Sequence, residues 1–257
     1  MTVRIMKIEV RETESLNFVE QSPTLAGEVF ARLRADIVSS RLPPGAKLRL
    51  EDLRRTYGVG FSPLREALSR LAENRLVIAI GQRGFRVPEV SAKEILDIAM
   101  VRKEVEGFGL RLAIRHGDAL WEARLLAAGE KFALLQRSKK AVAEDVWESR
   151  HRDFHFALIA ACQSPWLLHL HGVLTDQFDR YRRLSAKSRL PSAPRWLSHK
   201  GIMQAAVARN ADKAVKLLDE HIAVATRLIV AGFLASDELR NVRPRKRKAA
   251  PVQRRSA

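Results

Sequence analysis

Four histidines have a spacing that would allow them to bind one metal ion. His151 and His155 are four residues apart, so both side chains project from the same face of a helix. His199 and His221 follow in two later segments with helical periodicity. Imidazole nitrogens are common ligands of divalent ions, and four of them from three helices could meet inside a helical bundle. Because a histidine is more often a packed or exposed residue than a ligand, the spacing alone leaves both a divalent metal site and polar packing open.

A second group of residues has the types and positions that contact DNA phosphates. Ser62 and Pro63 are expected at the N-cap and in the first turn of a helix. Arg65 follows in that first turn, where its charge and the helix N-terminus both favour a phosphate. The other candidates lie on the preceding helix and at a glycine-rich tip: Arg54, Arg55, Arg83 and Gly84. Each arginine alone is an ordinary surface charge, but their clustering indicates a DNA-binding surface.

The overall charge supports an anionic partner. The chain has 257 residues, with 46 Lys+Arg against 29 Asp+Glu and a formal net charge of +17. Such a charge favours nucleic acid first and an anionic membrane second. The one cysteine excludes a disulfide within the chain and is typical of a reducing cytoplasm. Neither the first twenty residues nor the long apolar segment interrupted by Arg227 fits a signal peptide or a bilayer span, so no membrane partner is expected.

The elements that must hold the DNA-contacting residues are three helices and a hairpin. Residues 1–21 lack periodicity and are expected to form a mobile arm. Helical periodicity begins near Thr24 and returns over Leu50–Tyr57 and from Ser62 onward. Two short apolar runs on either side of a Gly-Gln-Arg-Gly tip predict a small β-hairpin. Residues 22–90 are therefore predicted to form a winged helix-turn-helix, with three helices and the hairpin as its wing.

The histidines require a helical bundle, and the rest of the chain predicts one. A capping box at Ser91 and Glu94 marks its start. Over residues 91–234, apolar residues recur at spacings of three and four, which predicts an all-α bundle of about six or seven helices. From Arg240 onward there are eight basic residues and no acidic ones, so residues 235–257 are predicted to be a basic disordered tail. The fold class is therefore mainly α.

The DNA-contacting segment resembles the DNA-binding domain of the GntR family of bacterial transcription regulators. The resemblance covers roughly residues 24–87 and rests on PPGAKL, DLRRTYGVGFSPLREALSRLAENRLV and GQRGFRV. It implies DNA contacts at Ser62, Pro63, Arg65, and in the wing near Arg83 and Gly84. This chain has Gly60-Phe61 where the family commonly has Ser-Arg. Base specificity is therefore expected to come from the wing or from Ser62.

The helical segment resembles the FCD effector domain of the FadR-like GntR subfamily, over roughly residues 92–230. The resemblance rests on SRHRDFHFALIAACQSPWLL and HKGIMQAAVARNADKAVKLLDEH. It implies a metal held by one Asp and three His. His155, His199 and His221 match the histidines, and His151 stands at the position of the Asp. Imidazole in place of a carboxylate makes the ligand set softer, which favours Zn or Ni over Mn.

The same resemblance implies an effector-binding site. Arg102 and Glu106 match the Arg-x-x-x-Glu of the domain's first helix, which implies that Arg102 clamps a carboxylate. The alternative is a surface ion pair at i, i+4 spacing. Tyr181 and Arg182 are further candidates for the same role. Within the family, PLREALS, RHxxFH and AxCxS resemble most closely the branch of carbon-starvation-induced repressors of glutarate use.

These resemblances imply a DNA-binding transcription regulator, not an enzyme, located on the bacterial nucleoid in the cytoplasm. Its expected partners are a double-stranded operator, a second copy in a homodimer, and a small carboxylic acid that releases the repressor. Two alternatives remain: a metal-dependent hydrolase that uses the histidine cluster, and a nonspecific basic nucleic-acid binder. The absence of HExxH, a phosphate-binding glycine loop and GxSxG argues against the hydrolase. Salt dependence of binding would distinguish the nonspecific binder.

Overall fold

The computed structural model describes residues 24–81, 84–137, 142–186 and 195–242. The expected arm over residues 1–21 and the wing residue Arg83 lie outside these ranges. The described part is mainly helical, with a small antiparallel sheet near its N-terminal end. The predicted fold class is therefore confirmed.

Three helices form the N-terminal unit: α1 (Leu25–Val38), α2 (Leu50–Tyr57) and α3 (Phe61–Glu73). Thr24 is the N-cap of α1, and its hydroxyl accepts a hydrogen bond from the Gly27 amide at 3.1 Å. Helices α1 and α3 pack against each other through apolar stripes at helical spacing. The buried residues of these stripes are Val29, Leu33, Ile37, Leu64, Leu68 and Leu71.

The wing is part of a three-stranded sheet. Strand β1 (Lys47–Leu48) precedes α2, and β2 (Ile78–Ala79) and β3 (Phe85–Arg86) follow α3. The order is β1-β3-β2 and both pairings are antiparallel. Strand β1 was not predicted because its two residues are too short to show alternation. It fixes the hairpin to the body of the domain, since β3 pairs with it in the middle of the sheet.

The start of α3 differs from the prediction. Its N-cap is Gly60 in an extended conformation, with no side-chain capping bond, and Ser62 is already inside the first turn. The prediction that Ser62 is the N-cap is therefore wrong. The reason is the tight turn before α3, where Gly58 ends α2 in the left-handed conformation at φ 69°. Helix α3 can therefore begin at Phe61, immediately after Gly60.

Six helices follow in the described part of the chain, within the predicted range. They are α4 (Ala92–His116), α5 (Ala119–Arg137), α6 (Glu144–Ile159), α7 (Pro165–Ala186), α8 (Arg195–Val207) and α9 (Ala211–Val242). Helix α4 packs on α7 and α9, α5 packs on α6, and α8 lies between α5 and α9. One apolar core joins them. No helix among the described residues is long and apolar enough to cross a membrane.

The last helix extends further than the sequence suggested. Helix α9 continues to Val242, so residues 235–242 are helical and the disordered tail predicted from residue 235 cannot begin there. The segment Ala-Ser-Asp-Glu-Leu-Arg-Asn-Val contains no Gly or Pro to end the helix. Residues 243–257 lie outside the described part of the chain.

The junction between the two units contains an unpredicted tyrosine contact. Ser91 caps α4 as expected, because its hydroxyl accepts from the Glu94 amide at 3.1 Å. The capping box predicts that the Glu94 carboxylate accepts a hydrogen bond from the Ser91 amide, but it does not. The Tyr181 hydroxyl accepts from that amide at 3.1 Å and donates to Glu94. Helix α7 thereby fixes the start of α4.

Candidate metal and effector site, and candidate DNA interface

The four predicted histidines lie together inside the helical unit. His151 and His155 come from α6, His199 from α8 and His221 from α9. One ring nitrogen of each can be chosen so that all four lie within 4.8 Å of one another. The first three side chains are buried and His221 is partly buried. The i, i+4 spacing on α6 therefore places both rings on the inner face, where the other two helices approach.

Two polar neighbours lie close to the histidine rings. The Ser198 hydroxyl lies 3.1 Å from Nδ1 of His221. Glu106 Oε2 lies 3.7 Å from Nδ1 of His155. Carboxylate and hydroxyl groups behind metal-binding histidines commonly fix the ring and leave Nε2 for the ion. Nε2 of His155 is buried and has no hydrogen-bond partner among the described residues, which is the state expected of a ligand atom.

Burial keeps the histidines neutral. It lowers the pKa of His151 well below its usual value, and it lowers the pKa of His155 as well. Burial also lowers the pKa of His221, to about 3. Neutral imidazole is the form that binds metal. The number and separation of the four side chains, and the neutral state of these three, therefore fit a divalent cation.

A buried ion pair lies behind the cluster. Arg102 donates to Glu106 within α4, and both side chains are almost completely buried. His171 of α7 places Nδ1 3.3 Å from the same carboxylate. Burial raises the pKa of Glu106, but Arg102, His155 and His171 outweigh it and hold the pKa well below its usual range. The pair is internal, so the alternative of a surface i, i+4 pair is wrong for Arg102 and Glu106. Sequence spacing gave no signal for His171.

A cavity of about 390 Å³ opens beside the histidines, between α6, α7, α8 and α9. Arg102 and Arg182 line it, together with three of the histidines: His151, His199 and His221. Its other walls are mainly apolar, formed by Trp147, Phe178, Leu217, Ile222, Leu228 and Ile229. Glu106 lies behind Arg102 and does not line the cavity. Tyr181 also does not line it, because its hydroxyl is bound at the start of α4.

Arg182 is already held by two carboxylates. Its guanidinium donates to Glu148 at 2.6 Å and to Asp179 at 2.5 Å. It also lies 5.0 Å from the ring centre of Trp147, in cation–π geometry. Glu148 precedes His151 by three residues on α6, and Asp179 precedes Arg182 by three on α7. This helical spacing was a signal that the sequence analysis missed.

The candidate DNA-contacting residues within the described part of the chain lie at the start of α3, on α2 and in the hairpin. Ser62 and Arg65 are exposed in the first turns of α3, and Pro63 is partly buried. Arg54 and Arg55 are exposed on α2, where each forms an ion pair with the carboxylate three residues earlier. The guanidinium of Arg54 also lies 5.4 Å from the ring centre of Phe61. Gly84 has a φ of 96°, which favours glycine, at the end of the hairpin.

Comparisons with known proteins agree with these two units. The model of bacterial regulatory proteins of the gntR family matches residues 25–87, and the FCD domain model matches residues 97–224. The chain is 38% identical over 218 residues to the HTH-type transcriptional regulator BphR of Paraburkholderia xenovorans, covering 80% of this chain and 88% of that protein. It is 35% identical over 197 residues to the HTH-type transcriptional repressor GlaR of Escherichia coli, covering 74% and 89%.

A solved structure shows the same fold. McbR/YncC of E. coli superposes with a TM-score of 0.71 and 21% identity, over 82% of this chain and 99% of that chain. The relatives are named as transcription regulators, so neither the hydrolase nor the nonspecific binder is supported.

Proposed function

This chain belongs to the GntR family of DNA-binding transcription regulators and carries an FCD domain, and from that premise we propose that it is a repressor released by a small carboxylic acid. Regulators of this family bind DNA operators, and FCD domains bind small-molecule effectors. The relative GlaR is named as a repressor, which supports repression rather than activation. The observation that carries the proposal is the cavity beside the four histidines, because it offers the cationic groups of Arg102 and Arg182 in a mainly apolar enclosure. Its further polar lining residues are Ser185, Ser198 and Glu220.

Helix α3 is the proposed DNA-reading element. Its exposed first turns carry Ser62, Pro63 and Arg65, which would contact phosphates near the helix N-terminus. Gly84 and Arg83 of the wing would approach the neighbouring backbone. Because the family's arginine is replaced by Phe61, we assign part of the base contact to Arg54. Its contact with the Phe61 ring holds the guanidinium at the start of α3. Arg55 would add a phosphate contact from α2.

The proposed assembly is a homodimer through one face of α4 and α9, which we call the α4–α9 face. Leu96 and Met100 are exposed there, beside a groove of about 530 Å³. The groove also carries Lys103, Glu104 and Arg227. A face with apolar side chains and both signs of charge is complementary to itself, as a twofold interface requires. A dimer would present two α3 helices to two operator half-sites.

The proposed metal is Zn or Ni, held by His151, His155, His199 and His221. Four imidazoles suit these ions better than Mn, which prefers oxygen ligands. When bound, the ion would supply a positive charge at the wall of the cavity. None of the four ligands is a carboxylate, so no ligand charge offsets it. The metal thereby serves to dock an anion.

The proposed effector has a carboxylate head and an apolar body. Arg102 lines the cavity beside the histidines and is held rigidly by Glu106 and by the Phe178 ring, whose centre lies 4.5 Å away. A rigid guanidinium is well suited to bind a carboxylate. The apolar walls would then enclose the remainder of the acid, since polar groups there would find few partners.

Ligand binding to the zinc-loaded protein tests this proposal. A panel of mono- and dicarboxylic acids with aliphatic and aromatic bodies is screened by the rise in thermal unfolding temperature, since a ligand at 100 times its Kd stabilises by about 2.7 kcal/mol. We expect at least one acid to bind, and Arg102→Lys to weaken it tenfold or more. Arg111→Lys, an exposed change on the same helix, should leave binding unchanged. If no acid stabilises the wild type, or if Arg102→Lys binds normally, the proposed effector site is wrong.

A further inference from the structure

Helix α7 contacts the DNA-binding unit with one side. Asp176 accepts from Arg34 of α1, through both of its carboxylate oxygens. The Gln177 amide donates to the carbonyl of Asn74, the residue that ends α3, at 2.9 Å. Arg180 donates to the carbonyl of Pro88 in the segment that joins the two units. One turn of α7 therefore holds the first helix, the DNA-reading helix and the joining segment.

The other side of α7 faces the effector cavity. Phe178 and Arg182 line it, and they alternate along the helix with the residues that contact the DNA-binding unit. Any ligand in the cavity therefore meets the same helical turns that position α1 and α3.

Alternating charges connect these two sides without a break. Asp176, which binds Arg34, also accepts from Arg152 of α6 at 2.5 Å. Arg152 lies 2.7 Å from Asp179, and Asp179 accepts from Arg182. Arg182 also pairs with Glu148. We call this series the ion-pair chain, and its members in order are Arg34, Asp176, Arg152, Asp179, Arg182 and Glu148.

The order of charges in the ion-pair chain gives each link a defined response. Asp179 and Arg182 are almost completely buried and the Arg152 side chain is 25% exposed, so their interactions are screened less than those of surface ion pairs. A carboxylate in the cavity that attracts Arg182 would weaken the link from Arg182 to Asp179. Asp179 would then bind Arg152 more tightly, and Arg152 would bind Asp176 less tightly. Asp176 would be left to Arg34 alone, which strengthens the link to α1.

We propose that the ion-pair chain carries the occupancy of the cavity to α1 and so fixes the DNA-binding unit against α7 when the effector is bound. The inference rests on the proposed function for the identity of the ligand, but the chain itself can be tested without any ligand. An allosteric device needs an element whose equilibrium both sites shift, and here that element is the shared carboxylate of Asp176.

Two substitutions should imitate the effector. Arg182→Gln removes the ion pair with Asp179, so Asp179 binds Arg152 more tightly. Arg152→Gln removes the ion pair with Asp176 directly, so Asp176 binds Arg34 alone. Both should lower affinity for an operator, selected from random DNA by the full-length protein, at least tenfold in fluorescence anisotropy. Arg34→Gln alone should bind within about threefold of wild type. Because Arg34 is the last link, the double variants Arg152→Gln/Arg34→Gln and Arg182→Gln/Arg34→Gln should recover the affinity of Arg34→Gln.

A structural role alone predicts the opposite pattern, because the damage of two lost ion pairs would add. Weaker binding by the double variants than by either single variant would therefore overturn the proposal, as would loss of binding in Arg34→Gln. Arg152 is about a quarter exposed, so Arg152→Gln remains informative if Arg182→Gln fails to fold. Asp212→Asn, which breaks an exposed ion pair with Arg111, is the matched control. It should not weaken operator binding, and adding Arg34→Gln to it should not change the affinity further. If no acid binds the wild type but Arg34→Gln restores operator binding to the Arg152→Gln and Arg182→Gln variants, the proposed effector is wrong and the proposed role of the ion-pair chain is supported.

Discussion

We propose that operator binding depends most directly on the side chain of Arg65. It is exposed in the first turns of α3 and has no ion-pair partner among the described residues, so its charge is available to a phosphate. We expect Arg65→Ala to weaken operator binding by about 1–3 kcal/mol while the unfolding temperature stays unchanged. Electrophoretic mobility shift with a selected operator measures this. Arg111→Ala, an equally exposed change on α4, should bind normally, and wild-type affinity in Arg65→Ala would exclude α3 as the reading helix.

His155 provides the corresponding test of the metal site. Its Nε2 is buried and has no hydrogen-bond partner among the described residues, so His155→Ala should remove a metal ligand; the contact of Nδ1 with Glu106 is lost with it. We expect stoichiometric zinc in the loaded wild type and little in the variant, measured by inductively coupled plasma mass spectrometry after desalting. His169→Ala, an exposed histidine on α7, should retain the metal. A wild type without zinc would mean that the four histidines are polar packing.

Single residues also show what a sequence can and cannot predict. The helical repeat was sufficient to place His151 and His155 on one face. Their types and helical segments made His199 and His221 candidates, and the family resemblance supported all four positions. Sequence patterns did not predict the role of Tyr181, because only the fold brings its hydroxyl to the start of α4. The contact between Arg34 and Asp176 joins residues 142 positions apart, and no local pattern marks it.

At the scale of elements, the turn between α2 and α3 sets the position of the reading helix. Gly58 adopts a φ of 69°, and a Cβ there would meet no atom within 4 Å, so conformation alone opposes substitution. We expect Gly58→Ala to destabilise the protein by about 1 kcal/mol in urea unfolding. Gly58→Asn should cost less, because Asn tolerates this conformation. Equal stability of Gly58→Ala and the wild type would contradict the capping role.

Element boundaries were predicted less well than element types. The three N-terminal helices and the hairpin follow from periodicity and from glycine positions. Strand β1 and the exact start of α3 do not, because both depend on how neighbouring segments pair and turn. The extension of α9 to Val242 is a different case, because the sequence has no stop signal near residue 235 and so favours the longer helix.

For the whole molecule, the α4–α9 face predicts the assembly state. Met100 is 59% exposed on that face, and a charge there would be buried against the second copy. Met100→Lys should therefore elute as a monomer in size-exclusion chromatography with light scattering, whereas the wild type should be a dimer. Leu120→Lys, on α5 at 55% exposure, is the control and should stay dimeric. A dimeric Met100→Lys protein would place the interface elsewhere.

We propose that an acid bound in the helical unit controls operator binding by the N-terminal unit. The most direct measurement is the anisotropy of a labelled operator bound to zinc-loaded protein, titrated with each acid that raises the unfolding temperature. We expect at least one such acid to lower operator affinity tenfold or more, and by reciprocity the operator to lower affinity for the acid by the same factor. If every acid that binds leaves operator affinity unchanged, the cavity does not regulate DNA binding and the proposed control of the operator by the effector is wrong.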